Sequence, residues 1–160
     1  MKTTDNFTEI VNKINQTLPL HRMWDGFWIH SFKKHTLIIS CSFDKIYYRC
    51  FDLIFKRVVF FNVPSIWRDT NIIGDNLIRI ASQNEFEQQY PGFDTQDHII
   101  FAIDIYFGGN DLSEKHSFYI LAKNIYLNQC VPPDDNPVPL YLDIYEDEPF
   151  PCMKNRILSE

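Results

Sequence analysis

The 160-residue sequence predicts a single α+β domain: an N-terminal helix packed on a twisted, mainly antiparallel sheet of about five to seven strands, with one short helix in the middle of the chain. Three observations predict it. Apolar residues recur at helical spacing near the N-terminus and at strand spacing beyond it. Aromatic residues reach 16%, with 14 Phe and 8 Tyr against 5 Gly, a balance that suits pleated surfaces. Only one further helix signal interrupts the strands, whereas parallel strands need a crossover of roughly a dozen residues each. A chain of this length builds one well-buried core, and 45% hydrophobic with 22% charged residues excludes disordered and fibrous classes.

The elements follow in order. Phe7, Ile10, Val11, Ile14 and Leu18 form one helical stripe, with Asn6 and Glu9 spaced as a capping box. Pro19 closes this helix, because the residue before proline is pushed out of the α region. Trp24 to Phe32 reads as an irregular extended stretch, and Lys33-Lys34-His35 as a polar turn. Thr36 to Phe43 alternates with Leu37, Ile39, Cys41 and Phe43 on one face, which completes a hairpin. The run from Cys50 to Val63 places Phe51, Leu53, Phe55, Val59, Phe61 and Val63 on one parity, and the charged pair Lys56-Arg57 calls for a bulge or a local edge between them. Pro64 ends that strand, and Ser65 to Asn71 has no period and reads as a loop.

Leu77 to Ala81 is a short strand. Ser82 and Glu85 form a second capping box, opening a short helix to about Gln89 that Pro91-Gly92 stops. Ile99, Phe101, Ile103, Ile105 and Phe107 then face one way and His98, Ile100, Ala102, Asp104 and Tyr106 the other. This is the clearest strand, and its apolar side is expected to lie under Phe7, Ile10, Val11 and Ile14. Gly108 to Asp111 supplies a turn, and Ser117 to Leu127 returns as a strand apolar on both faces. Residues 1–130 form the body. In 131–150, which holds most of the nine prolines, the alternation of Leu140, Leu142 and Ile144 with Tyr141, Asp143 and Tyr145 fits a last strand at a sheet edge. Residues 151–160 are expected to fray.

Net charge is −6, and from Asp134 onward seven acidic residues face only Lys154 and Arg156. That balance argues against a phosphate backbone as partner and leaves an acidic C-terminal segment on a nearly neutral body. The first six residues lack the apolar core of a signal peptide, and no apolar run reaches the ~18–20 residues needed to span a bilayer, so a cytoplasmic protein without membrane contact is expected. Cys41, Cys50, Cys130 and Cys152 contain no CxxC pair and are read as reduced, apolar residues.

Candidate chemistry is sparse. His21, Asp25 and His30, beside Trp24 and Trp28, offer a His–carboxylate pair, and with His35 a set of metal-ligand atoms, but their spacing matches no defined site. Histidines at a helix-to-strand junction more often face solvent or bond to backbone, so no catalytic, cofactor-binding or metal-binding residue is assigned. No phosphate-binding glycine loop, nucleophile elbow or HExxH is present. Asp143, Glu146, Asp147 and Glu148 cluster oxygens, yet Pro149 and the lack of a glycine turn make them a solvated surface rather than a Ca²⁺ loop. Trp67, flanked by Arg68 and Asp69, has a composition favoured at protein interfaces. Together with the four acids it is the expected partner-binding surface, and its charge suits a basic protein.

Leu20-His21-Arg22-Met23-Trp24-Asp25-Gly26, the strand Leu37 to Phe43, Phe51 to Phe55 running into Val58 to Pro64, and Phe118 to Ile125 together resemble small bacterial α+β proteins of unassigned function. Some of these are similar to immunity proteins of polymorphic-toxin loci. The resemblance spans residues 20 to 127 and implies a cytoplasmic protein that neutralises a toxin by binding it; it carries over no catalytic residue. The expectation is therefore a non-enzymatic protein-binding domain without cofactor, with a small hydrolase or ligand-binding domain using His21 and Asp25 as the alternative. A carbohydrate-binding surface using Trp24 and Trp67 would require secretion, which the sequence does not signal.

Overall fold

Helical spacing in the first turns of the chain is realised in α1, Thr4–Thr17, which buries Phe7, Val11 and Ile14 and half-buries Ile10. The structure, a computed structural model, describes residues 4–17, 26–42, 51–68, 76–95, 97–107 and 114–129. α1 begins before the expected cap, so Asn6 lies in its first turn rather than at its boundary, a difference of the size by which helix ends vary.

β1, Gly26–Lys33, and β2, Thr36–Ser42, form the expected hairpin. The irregularity read in β1 is a bulge: Ile29 pairs with Ile39 and Ser31 with Ile38, leaving His30 as the extra residue. β3, Phe51–Lys56, pairs with β2. At Lys56-Arg57 the chain does not bulge within one strand. It leaves the first sheet, with Arg57 in the left-handed region (φ 55°), and enters a second sheet as β4, Phe60–Phe61. Two adjacent charges thus mark the corner between sheets, where both stay in water.

The expected loop after Pro64 is also corrected, since Ile66–Trp67 forms β5 and pairs with β1. β6 is Arg79–Ile80 and α2 is Gln83–Gln89. Ser82 caps α2, accepting the Glu85 N–H at 3.2 Å as the sequence signature requires. β7, Ile99–Phe107, pairs along its length with β8, Glu114–Ala122, and β9 is Asn124–Gln129. The strand expected over Ser117–Leu127 is therefore two strands, broken at Lys123 and lying in different sheets. Apolar residues occupy both faces because β8 turns Ile120 and Ala122 to the main core and Tyr119 and Leu121 to a second cluster under α2, and the exchange then turns Ile125 and Leu127 of β9 to the main core.

The α+β class with an N-terminal helix on a mainly antiparallel sheet holds, and among the described residues the strands divide into two layers, a five-stranded sheet, β5-β1-β2-β3-β9, and a four-stranded sheet, β4-β8-β7-β6, all pairings antiparallel. Leu37, Ile39, Leu53, Phe55, Ile125 and Leu127 from the first sheet share one core with Phe101, Ile103, Ile105 and Ile120 from the second, and the rings of Phe55 and Phe101 meet edge to face at 5.5 Å. The helical stripe joins the same core, although the five-stranded sheet also covers the Phe101 face. Asn15 fastens α1 to the segment entering β6: its Nδ2 donates to the Ile78 carbonyl at 2.7 Å, and its Oδ1 accepts the Ile78 N–H at 3.2 Å. On the outer face of the four-stranded sheet, α2 drives Phe86 into a second cluster with Ile100, Ala102, Tyr119 and Leu121. Among the described residues no helix is long and apolar enough to cross a membrane.

Candidate functional site

Trp67 is a core residue. It is 3% exposed and stacks on Phe27 with ring centroids 5.4 Å apart. Its seat depends on Gly26, which has φ 81° and at which a Cβ would lie 2.1 Å from the Trp67 carbonyl oxygen. The expected partner surface accordingly loses Trp67, because pairing with β1 turns the indole inward while its neighbour Ile66 faces out. His30 is half-buried at the bulge, and Trp28 is half-buried on the outer face of the five-stranded sheet. His21, Trp24 and Asp25, and likewise Asp143, Glu146, Asp147 and Glu148, lie outside the described residues. Among the described residues no three His, Cys, Asp or Glu side chains gather to hold a metal ion.

The densest ionisable cluster joins Arg79, which the sequence did not mark, to Glu85 of the capping box and Asp104 of β7. Pairing of β6 with β7 puts Arg79 beside Ala102, on the outer face of the four-stranded sheet. Its Nε and Nη2 donate to Asp104 at 2.7 and 3.0 Å, and its Nη1 donates to Glu85 Oε2 at 2.9 Å. Ser117 Oγ donates to Asp104 Oδ1 at 2.7 Å, Tyr119 Oη donates to Glu85 Oε1 at 3.1 Å, and Lys115 Nζ stands 3.4 Å from Asp104 Oδ2.

The Arg79 hydrogen bonds hold the Glu85 carboxyl below the usual range. At Asp104, burial opposes ionisation most strongly, but hydrogen bonds from Arg79 and Ser117 and the charges of Arg79 and Lys115 together outweigh it and depress the pKa. Arg79 is driven up, first by its bonds to Glu85 and then by those to Asp104. Burial, then the Glu85 charge, pushes the Tyr119 phenol up to about 12. Both carboxylates are thus engaged by one guanidinium, and the arrangement works as a clamp fastening α2 to the sheet. Glu85, read as half of a capping box, directs its carboxylate to this clamp.

A second cluster forms at the end of the molecule where the chain turns from β1 to β2, leaves β3 and enters β9. Val58 N–H donates to the His35 carbonyl at 2.8 Å, and Lys123 N–H to the Lys56 carbonyl at 3.0 Å, so three turns are stitched together through backbone. His35 Nδ1 lies 3.1 Å from the Val58 carbonyl, which can only accept, so that nitrogen carries the proton. Lys33, Lys34, Lys56 and Arg57 are exposed on this platform and Lys123 is half-buried. Among the described residues none of the five pairs with a carboxylate.

Beside the cations, Phe32 is 45% exposed with its ring 4.9 Å from that of Phe61, and Val59 is 49% exposed. The backbone is strained here as well. Lys34 (φ 49°), His35 (φ 59°) and Arg57 (φ 55°) are three of the four non-glycine residues with positive φ among those described. The charged doublets are plain in the sequence, and an antiparallel meander necessarily brings the β1–β2 turn and the end of β3 to one side. Their convergence with Lys123 follows from the break between β8 and β9, which the continuous apolar pattern conceals. Comparison with family models, with curated proteins and with solved structures finds no match for this chain.

Proposed function

We propose that this chain is a non-enzymatic protein-binding domain of the immunity type, which neutralises a toxin by occupying it. The observation that carries the reading is the turn platform, where Phe32 and Val59 stand exposed among five cations that meet no carboxylate among the described residues, on three turns hydrogen-bonded to one another. Exposed apolar side chains within a charged rim have the make-up of a protein interface, and a rigid platform loses little conformational freedom on binding. The resemblance over residues 20 to 127 supports the finer form of the proposal, and the strands it rests on include those that build the platform. The polar cluster around Arg79 supports the non-enzymatic part, since its carboxylates hold α2 in place through a guanidinium.

Site-specific photo-crosslinking tests it. A photoreactive residue replacing Phe32 should capture one protein as an adduct of defined mass in cells producing the chain, whereas one replacing Lys13 on the exposed face of α1 should not. The captured protein, once purified, should lose its toxic activity when the chain is added in equimolar amount. Equal capture from both positions, or a captured protein whose activity the chain leaves unchanged, would refute the reading.

A further inference from the structure

We infer that the turn platform docks a carboxylate-rich, apolar-studded segment of a protein partner, so that Lys33, Lys34, Lys56, Arg57 and Lys123 meet acidic side chains while Phe32 and Val59 meet aliphatic ones. The inference rests on the protein-binding reading and names its partner chemistry, opposite in sign to what the acidic C-terminal segment suggests. Three independent observations converge on it.

First, like charges gathered on a small surface repel one another, and such repulsion is relieved when carboxylates arrive. A net charge of −6 that includes these five cations leaves −11 on the rest of the chain, so the platform is opposite in sign to the chain as a whole. Second, the Lys34-His35 turn has positive φ at both residues of a two-residue hairpin loop, a geometry that favours Asn-Gly. Bulky side chains held in a strained turn where asparagine and glycine would sit more easily are the pattern of a functional constraint. Third, Phe32 and Val59 beside the cations give the patch an apolar component that pure charge attraction does not need.

Charge and side-chain type disfavour nucleic acid. The remaining −11 repels a phosphate backbone at long range, and beside the cations Phe32 is the one exposed phenyl ring among the described residues, too little for a run of stacked bases.

The probe is a fluorescent peptide of about twelve residues alternating Glu and Leu, measured against a duplex DNA of matched charge by anisotropy, in about 50 mM and about 300 mM salt. The peptide should saturate the full chain at low salt and weaken by about tenfold or more at high salt. Lys34→Glu/Arg57→Glu should raise its Kd by about tenfold or more, while Lys13→Glu stays within about twofold. Phe32→Ser should weaken binding severalfold without changing the salt dependence. Lys34→Asn should raise the unfolding midpoint and still weaken the peptide, because asparagine tolerates the left-handed region while a cation is removed and the His35 bond to Val58 is kept. If the double reversal fails to fold, Lys33→Gln/Lys123→Gln replaces it, with the same direction expected.

Peptide that does not saturate, an unchanged Kd in the charge variants, or DNA bound as tightly as peptide would overturn the inference. A protein captured from position 32 whose affinity ignores these charge changes would overturn it while leaving the protein-binding reading intact. Absence of capture from position 32 would remove both.

Discussion

Phe101 lies where the two sheets meet, fully buried, with the Phe55 ring against its face or edge and Ile120 opposite it in β8. Truncation there opens a cavity between layers that strand backbones cannot collapse to fill, so Phe101→Ala should cost roughly 3–5 kcal/mol in chemical unfolding; a loss below about 1 kcal/mol would mean the layers do not pack at this point. The inward direction of this side chain was legible from strict alternation along β7. Trp67 shows the opposite case. Its local sequence has no period, so nothing there distinguishes an indole stacked under β1 from one offered to a partner, and the deciding contact is with Phe27, forty residues earlier in the chain. Gly26, which makes room for the Trp67 carbonyl, likewise has a role visible only once β1 and β5 are paired.

At the scale of elements, α2 has only seven residues, too few to be stable alone, and depends on its tertiary fastenings. Phe86 anchors one side, and the Arg79 clamp the other. Arg79→Met leaves Glu85 and Asp104 facing each other without the guanidinium between them, and should cost roughly 2 kcal/mol near neutral pH, discounted for the partial exposure of the group. The pH dependence has a definite sign. Glu85 and Asp104 titrate lower in the fold than their ordinary values of 4.5 and 3.8, so their stabilisation is complete above those values and is lost as pH falls through the depressed ones. Tyr119 shifts up from 10.0 to about 12, so its neutral phenol contributes below pH 10 and the contribution fades toward 12.

Thermal unfolding of the parent should therefore show an acid limb below about pH 4 that is flatter in Arg79→Met. Identical acid limbs in both proteins would remove the clamp from the account. The sequence announced α2 through Ser82, and the strands through their alternation. It hid the two points, Arg57 and Lys123, at which the chain changes sheet, because apolar residues continue on both sides of each while the core-facing parity shifts, from Phe55 to Val58 with Val59 left exposed and from Ala122 to Ile125.

For the molecule as a whole, the division into two layers explains why the chain is so rich in phenylalanine. Each inner face must be apolar along its length, and the outer face of the smaller sheet carries a second aromatic cluster where Phe60, Phe86, Tyr90 and Phe93 meet. A protein of this make-up risks joining others strand to strand through its sheet edges. The Asn15 side chain bears on that risk. Just past β6 the Ala81 N–H donates to the Ile100 carbonyl of β7, so by alternation Ile78, just before β6, turns its N–H and carbonyl to the open side, and a single carboxamide from α1 occupies both. The helix thereby supplies an imitation of one more strand residue at this end of the edge, covering the Ile78 backbone groups that another copy would otherwise pair with. Asn15→Leu should keep the fold with a loss of about 1–2 kcal/mol, yet at high concentration it should populate oligomers detectable by light scattering that the parent does not form. If the variant stays monomeric while losing that stability, the amide serves only to fasten the helix; if it self-associates, one side chain marks the difference between a sheet that stops and a sheet that propagates.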